Sequence, residues 1–309
     1  MFQTNFDFIT DKARAIGEPL RVVMAGGDNE NIMQGLFQAE SQGFAKPILM
    51  GNAARIDKML KDLCFFDRQY TVVDVPDDQD VVQAAIDYIK AGKGDMLLRG
   101  NVQTRDFLMP ILDKQNDLIK PDSLLSHVCL LKVPEYPRIL AVADVSIVVE
   151  PNPEQRKKIT QNVVRMLNAL GYERPNVALM SLIEKPAFHM KDTVEASNIV
   201  HSHSMHPIAE CNIVGPIAYD LIISKEAARL KHYDCDLCGE FDAIITPNLL
   251  AGNLLIKSAQ IHGHAASLGV IVGAKIPVAI TSRSEPREQT YLSIAACAAL
   301  QQHKVTWNL

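Results

Sequence analysis

A chain of 309 residues, 48% hydrophobic and 22% charged, with 16 glycines and 16 prolines, has ordinary globular composition and enough apolar material for one large or two medium domains. Its net charge of −5, without any block of lysine or arginine, speaks against a nucleic-acid partner and leaves any anionic ligand to a few placed cations. No apolar run approaches the roughly 18 residues of a membrane span, and the first residues lack the basic and apolar regions of a leader, so a cytoplasmic protein with no membrane partner is expected.

The chain then alternates between strand-like and helix-like runs. Leu20–Ala25 reads as a strand, Gly26-Gly27-Asp28-Asn29 as a tight loop and Glu30–Gln42 as a helix. Strands follow at Pro47–Met50 and Tyr70–Val75. An amphipathic helix over Asp78–Lys90 places Val81, Val82, Ala85, Ile86 and Ile89 at helical spacing. Asp95–Arg99 is a fourth strand; after Gly100-Asn101-Val102-Gln103, Thr104 is expected to cap a helix reaching about Lys114.

Around Pro121 the chain is expected to pass into a second unit. Strands are predicted there at His127–Val133, Arg138–Val142, Val177–Leu182, Cys211–Val214, Phe241–Thr246 and Val270–Val272, with a long helix over Pro153–Leu170. The last strand, Pro277–Thr281, and a helix from Arg287 to Gln302 return to the first unit. Such alternation implies parallel pairing with right-handed crossovers. The reading is therefore two interleaved, doubly wound α/β domains, 1–120 with 275–309 and 121–274, with an active-site cleft between them.

Chemistry-bearing residues gather where apolar strands end, the place at which open α/β sheets bind ligands. The segment Thr281-Ser282-Arg283-Ser284-Glu285-Pro286-Arg287-Glu288 passes abruptly from a β-prone run to hydroxyls, a guanidinium and carboxylates. A Ser-Arg pair there can bind a phosphate or acyl oxygen, and a neighbouring glutamate can take a proton. Gly100 through Thr104, at a helix start, suits an anion. Asn253 and Lys257 are four apart and so share one helical face near a positive helix end. The Gly26-Gly27-Asp28 turn lacks the spacing of a dinucleotide fingerprint and the Lys-Ser/Thr of a P-loop. Gly215-Pro216 forces a sharp exit from its strand, a structural role before a catalytic one.

Other candidates carry less. His201, His203 and His206 fall on different faces of a helix and read better as a polar loop than as metal ligands. His262 and His264 read as surface or core residues. The six cysteines are scattered, as reduced and mostly buried thiols would be; Cys235 and Cys238 form a CxxC with no second pair at zinc spacing. No metal site is expected.

Taken in order, four stretches resemble the phosphate acetyl/butyryltransferase family: Gly215-Pro216-x-Ala218-x-Asp220; Pro247 through Gly252-Asn253-x-x-x-Lys257; Ile271 through Lys275-x-Pro277; and Thr281-Ser282-Arg283-Ser284. Gly100–Thr104 and Ala143-Asp144 add weaker support. The Ser-Arg-Ser-acid ending is more similar to the butyryl branch than to the acetyl branch.

The resemblance implies a homodimeric two-domain fold related to isocitrate and isopropylmalate dehydrogenases. It also implies transfer of an acyl group between CoA and inorganic phosphate, without metal or covalent intermediate. CoA or acyl-CoA and phosphate or acyl phosphate would be substrates, with no permanently bound cofactor. Ser282 and Arg283 would be the catalytic pair, and Glu285 or Glu288 the base. Gly100, Asn101, Thr104, Gly215, Asn253 and Lys257 would contact substrate. The chain departs from the family pattern after the Ser-Arg pair, where Pro286 reshapes the turn.

Competing readings are phosphate acetyltransferase, a non-catalytic acyl-CoA sensing module, and a metal-dependent dehydrogenase of related fold. The last wants an aspartate cluster around Mg²⁺, whereas Asp234 and Asp236 lie in a predicted turn.

Overall fold

The computed structural model describes residues 3–76, 81–119, 121–282 and 285–301. Among them the strands are β1 Leu20–Ala25, β2 Ala45–Gly51, β3 Thr71–Asp74, β4 Met96–Arg99, β5 Ser126–Lys132, β6 Leu140–Ala143, β7 Asn176–Met180, β8 Asn212–Ile217, β9 Ala243–Ile245, β10 Ala266–Val272 and β11 Val278–Ala279. The α-helices are α1 Asp7–Arg14, α2 Glu30–Ser41, α3 Ala53–Asp62, α4 Val81–Lys90, α5 Thr104–Leu112, α6 Pro153–Leu170, α7 Lys191–Met205, α8 Tyr219–Ile223, α9 Lys225–Leu230, α10 Leu249–Ile261 and α11 Arg287–Gln301. The described residues form two compact units: the first comprises Asp7–Ser123 and residues 268–301, the second Leu124–Ser267 with residues 3–6. None of these helices is long and apolar enough to cross a membrane.

In the first unit the strand order is β3-β2-β1-β4-β11-β10. The first five run parallel and β10 runs antiparallel to β11. Five of the six β1 residues are buried, because helices cover both faces of such a sheet; residues 22–25 are accordingly a continuous apolar run rather than an alternating one, and Arg21 is the one partly exposed residue. Helix α11 is buried almost all round, from Gln289 to Leu300, against α1 and α2. At Gly35 of α2 an added Cβ would lie 2.5 Å from the Arg287 carbonyl oxygen, so glycine permits the closest approach of α2 to α11.

The second unit orders its strands β5-β6-β9-β7-β8, with β5 antiparallel to β6 and the others parallel. Helix α6 covers the span predicted for it and is capped at both ends. Asn152 and Gln155 form a capping box, proline stands in the first turn, and Gly171 at φ 105° ends the helix. Its Arg156 is wholly buried, donating to the carbonyls of Met180 and Asp192, and burial lowers this guanidinium to about 10.

Several sequence expectations are corrected. Pairing is not parallel throughout, since the links between β5 and β6 and between β10 and β11 are too short for a helical crossover. Gln103, not Thr104, is the N-cap of α5; Thr104 is already helical, and the helix ends at Leu112. Strand β8 does not stop at Val214 but continues through Gly215 and Pro216 to Ile217, with a register irregularity opposite Ala178 and Met180. His201 and His203 lie in α7 and His206 is its C-cap, rather than in a loop. The His203 imidazole Nδ1 accepts from the Ile208 N–H at 3.2 Å, so this histidine closes the helix end.

Candidate functional site

In the first unit, β1, β4 and β11 are parallel neighbours, so their carboxyl ends deliver three loops to one edge of the sheet. After β1 come Gly26 and Gly27, whose N–H groups both donate to the Met50 carbonyl at 3.0 and 2.9 Å. After β4 comes Gly100, whose N–H reaches the Ala25 carbonyl at 2.8 Å, and then Asn101, whose N–H reaches the Gly26 carbonyl at 2.8 Å. These contacts require glycine. A Cβ on Gly100 would lie 2.0 Å from the Gly26 oxygen, and Gly26 adopts φ +81° with Asn101 N 2.8 Å from an added Cβ. Asn101 is exposed and Thr104, in the first turn of α5, is partly exposed.

Beyond β11 the chain runs through Ile280 and Thr281 to Ser282. Arg99, 5% exposed, joins this loop to the previous one. Its Nε donates to the Val102 carbonyl at 2.8 Å and its Nη1 to the Thr281 carbonyl at 3.2 Å. The sequence marked Arg99 only as the end of a strand. A charged residue closing an apolar strand was the available signal, because such a charge must be paired or hydrogen-bonded when buried.

Ser282 and Glu285 form a reciprocal turn. The Ser282 N–H donates to Glu285 Oε2 at 2.8 Å, and the Glu285 N–H donates to the Ser282 carbonyl at 3.0 Å. Glu288 stands on the exposed face of the first turn of α11, where its Oε2 accepts from Gln38 Nε2 of α2 at 3.3 Å. Of the two glutamates, only Glu285 is thus fixed against Ser282. Arg283 lies outside the described residues.

In the second unit, Asp144 organises the loop after β6. Its Oδ1 accepts from the N–H groups of Ser146 and Ile147 at 2.8 and 2.7 Å, and its Oδ2 from His127 N at 2.9 Å. Burial pushes the Asp144 carboxyl above the usual carboxylate range, against the pull of these donors. Helix α10 begins against this loop. A Cβ on Gly252 would sit 2.3 Å from the Asp144 carbonyl oxygen, and Asn253 Nδ2 donates to the Val145 carbonyl at 3.2 Å. Lys257, one turn on, reaches Gln260 Oε1 at 3.2 Å. Asn253 and Lys257 therefore share the expected face.

Gly215 is packed inside the β7–β8 pair, where an added Cβ would lie 2.6 Å from Leu179 Cβ. Beyond the carboxyl ends of β7, β8 and β9 lies a cleft of about 1040 Å³, lined by Ser181, Tyr219 and Asn248 among others. The buried Ser181 hydroxyl has no hydrogen-bond partner there. Among the described residues no group of three His, Cys, Asp or Glu side chains is placed to hold a metal.

Glycine-lined turns and oxygen and nitrogen donors at the ends of parallel strands define an α/β protein built to hold small ligands at its strand ends. The Phosphate acetyl/butaryl transferase family profile matches residues 76–299, and the chain belongs to that family; it is a transferase. It is 28% identical over 287 residues to a phosphate butyryltransferase of Clostridium acetobutylicum, covering 93% of this chain and 95% of that one. It is also 28% identical over 290 residues to a phosphate acetyltransferase of Thermotoga maritima, covering 94% and 97%. Among solved structures, a branched-chain phosphotransacylase from Enterococcus faecalis V583 superposes with a TM-score of 0.79 at 27% identity, covering 91% of this chain and 99% of that one. A 4-hydroxythreonine-4-phosphate dehydrogenase from Burkholderia phymatum shares the fold alone, with a TM-score of 0.54 at 13% identity.

Proposed function

We propose that this transferase moves a short-chain acyl group between CoA and inorganic phosphate: butanoyl-CoA + phosphate = CoA + butanoyl phosphate. CoA and the acyl phosphate bind together, and the CoA thiolate attacks the acyl carbonyl and expels phosphate. A thiol near pKa 8.5 costs about 2 kcal/mol to deprotonate at neutral pH. Donors placed on the developing oxyanion contribute more, about 2.7–4 kcal/mol each. Ser282 and Arg283 supply those donors, and Glu285 takes the thiol proton. The side chains of Asn101 and Thr104 hold phosphate oxygens at the start of α5, Gly100 lets the substrate approach the backbone there, and Asn253 and Lys257 contact substrate from α10.

The observation that carries this reading is the Arg99 tie between the Gly100 loop and the Thr281-Ser282 loop. It brings the family's hydroxyl and a glycine-lined helix start to one strand-end edge. Thiol release from acetyl-, propionyl-, butyryl- and isobutyryl-CoA on adding phosphate tests it. Initial-rate patterns that intersect support the ternary complex; parallel lines indicate an acyl-enzyme and refute it.

A second reading, phosphate acetyltransferase, is favoured by equal identity, 28%, to acetyl and butyryl relatives. The two substrates differ by methylenes whose discrimination is worth about 1–3 kcal/mol, so the same assay separates them. The protein acts as a homodimer, a reading supported by α10, which exposes Leu250, Leu254 and Ile261 along one face at 73%, 62% and 64%.

A further inference from the structure

The CxxC of the second unit takes no part in the acyl transfer described above. Cys235 and Cys238 stand in the turn that follows α9, and the Cys238 N–H donates to the Cys235 carbonyl at 3.2 Å. A hydrogen-bonded turn of this kind holds its first and fourth Cα atoms within about 7 Å, inside the span a disulfide bridges. The two side chains lie close enough for the Cys235 sulfur to act on the Cys238 thiol. Cys238 is 2% exposed and packs among Phe241, Tyr136 and Leu221, whereas Cys235 is partly exposed at the edge of the same cluster. Burial, and then the neighbouring Cys235 sulfur, push the Cys238 thiol up to about 12. One sulfur is accessible, and its neighbour is a protonated thiol held from solvent.

We infer that Cys235 and Cys238 are a redox modification site that closes to an intramolecular disulfide on reaction with a low-molecular-weight disulfide, RSSR. The Cys235 thiolate attacks one sulfur of RSSR, forming a Cys235–SR mixed disulfide and releasing RS⁻. The Cys238 sulfur then attacks Cys235 Sγ and breaks that mixed bond. A second RS⁻ leaves, and the protons of the two cysteines end on the two RSH products. The dithiol loses two electrons and RSSR gains them. The product pins a turn without regular structure, from Tyr233 to Gly239, to the core beneath it; Gly239 N–H already bonds the Ile222 carbonyl at 3.1 Å.

The test exposes the reduced full chain to glutathione disulfide, blocks remaining thiols with an alkylating agent, and maps peptides by mass spectrometry. The peptide holding both cysteines is expected to lose two hydrogens, carry neither alkyl group nor glutathione, and recover both thiols with dithiothreitol. Exposed Cys64 provides the internal control, since an isolated accessible thiol is expected to take up glutathione and keep it. Cys238→Ser should trap a stable mixed disulfide on Cys235. The inference is overturned if, once Cys64 is modified, the wild-type pair is fully alkylated or retains glutathione on Cys235. The wild-type mapping decides the matter even where the variant fails to fold.

Discussion

The Arg99 guanidinium and the Thr281 carbonyl oxygen stand 3.2 Å apart, and the same side chain reaches the Val102 carbonyl at 2.8 Å. One buried cation thereby sets the spacing of the loops that carry Gly100 and Ser282. Arg99→Met removes both bonds while keeping an apolar stem of similar length. Turnover is expected to fall about a hundredfold, the scale of a misplacement near 1 Å, while circular dichroism stays near wild type. Arg99→Lys should recover little, because a single ammonium cannot reproduce two diverging N–H donors. Near-wild-type turnover in both variants would remove this edge from the mechanism.

The two glutamates after the Ser-Arg pair should separate. Glu288 faces α2 and Gln38, so Glu288→Ala is expected to change turnover less than about threefold, in line with removal of an exposed side chain. Glu285 accepts the Ser282 N–H, and Glu285→Gln keeps an acceptor for that bond while abolishing the base. If Glu285 takes the proton, the glutamine variant loses about a hundredfold in kcat, the low end for general base catalysis. Wild-type activity in Glu285→Gln with loss in Glu285→Ala would reduce Glu285 to a turn brace.

Arg283 follows Ser282 directly in the chain, and on the family resemblance it is the proposed main donor to the mixed anhydride. Arg283→Ala is expected to lower kcat at least a hundredfold, as removal of one oxyanion donor does elsewhere. Thermal melting of the same variant checks that folding survives.

Acid stability has a legible source in Arg21 and Asp95. Arg21 donates from Nε and Nη2 to the two Asp95 oxygens at 2.8 and 2.6 Å, and its backbone N–H adds a third bond at 2.9 Å. Burial alone would raise the Asp95 carboxyl, but the bonds from Arg21 outweigh it and hold the group below its ordinary value. A depressed carboxyl contributes stability above its unfolded value, near 3.9, and loses it as pH falls through the folded value. Arg21 is 40% exposed, so screening limits the contribution to about 1 kcal/mol. Urea titration should show Asp95→Asn less stable than wild type by that amount at pH 7, with the gap closing below about pH 4. A gap unchanged at pH 3 would refute the pairing.

What was legible in the sequence followed from chemistry that acts locally. Helix α6 announces itself through Pro151 and Pro153, and β1 and β4 through the apolar runs at 22–25 and 96–98. Helix α7 was missed because its apolar residues do not line one stripe and its end alternates histidine with serine; only the Ile208 N–H bond to His203 shows why it stops there. Strand β8 runs past Gly215-Pro216, a dipeptide that ordinarily signals a turn, because its pairing with β7 absorbs an irregularity. The site divides the same way. Ser282 and Gly100 could be read from strand ends, but the Arg99 tie spans 182 positions of sequence, and the choice between Glu285 and Glu288 needed the direction of each side chain.

The exposed face of α10 gives the last prediction. Leu250, Leu254 and Ile261 are spaced so that all three point the same way, and each is more than half exposed. Full burial of one such side chain is worth about 1.5–3 kcal/mol, and a homodimer buries each copy twice through its symmetry. A lysine at the centre of this stripe would set a second ammonium one helical turn from Lys257, so the interface would take up two neighbouring like charges, a cost of several kcal/mol per site. Leu254→Lys is therefore expected to weaken self-association by at least a hundredfold in sedimentation equilibrium, with α10 still folded because position 254 faces away from the core. Should the variant and the wild type sediment alike, as dimers or as monomers, this face is not where two copies meet.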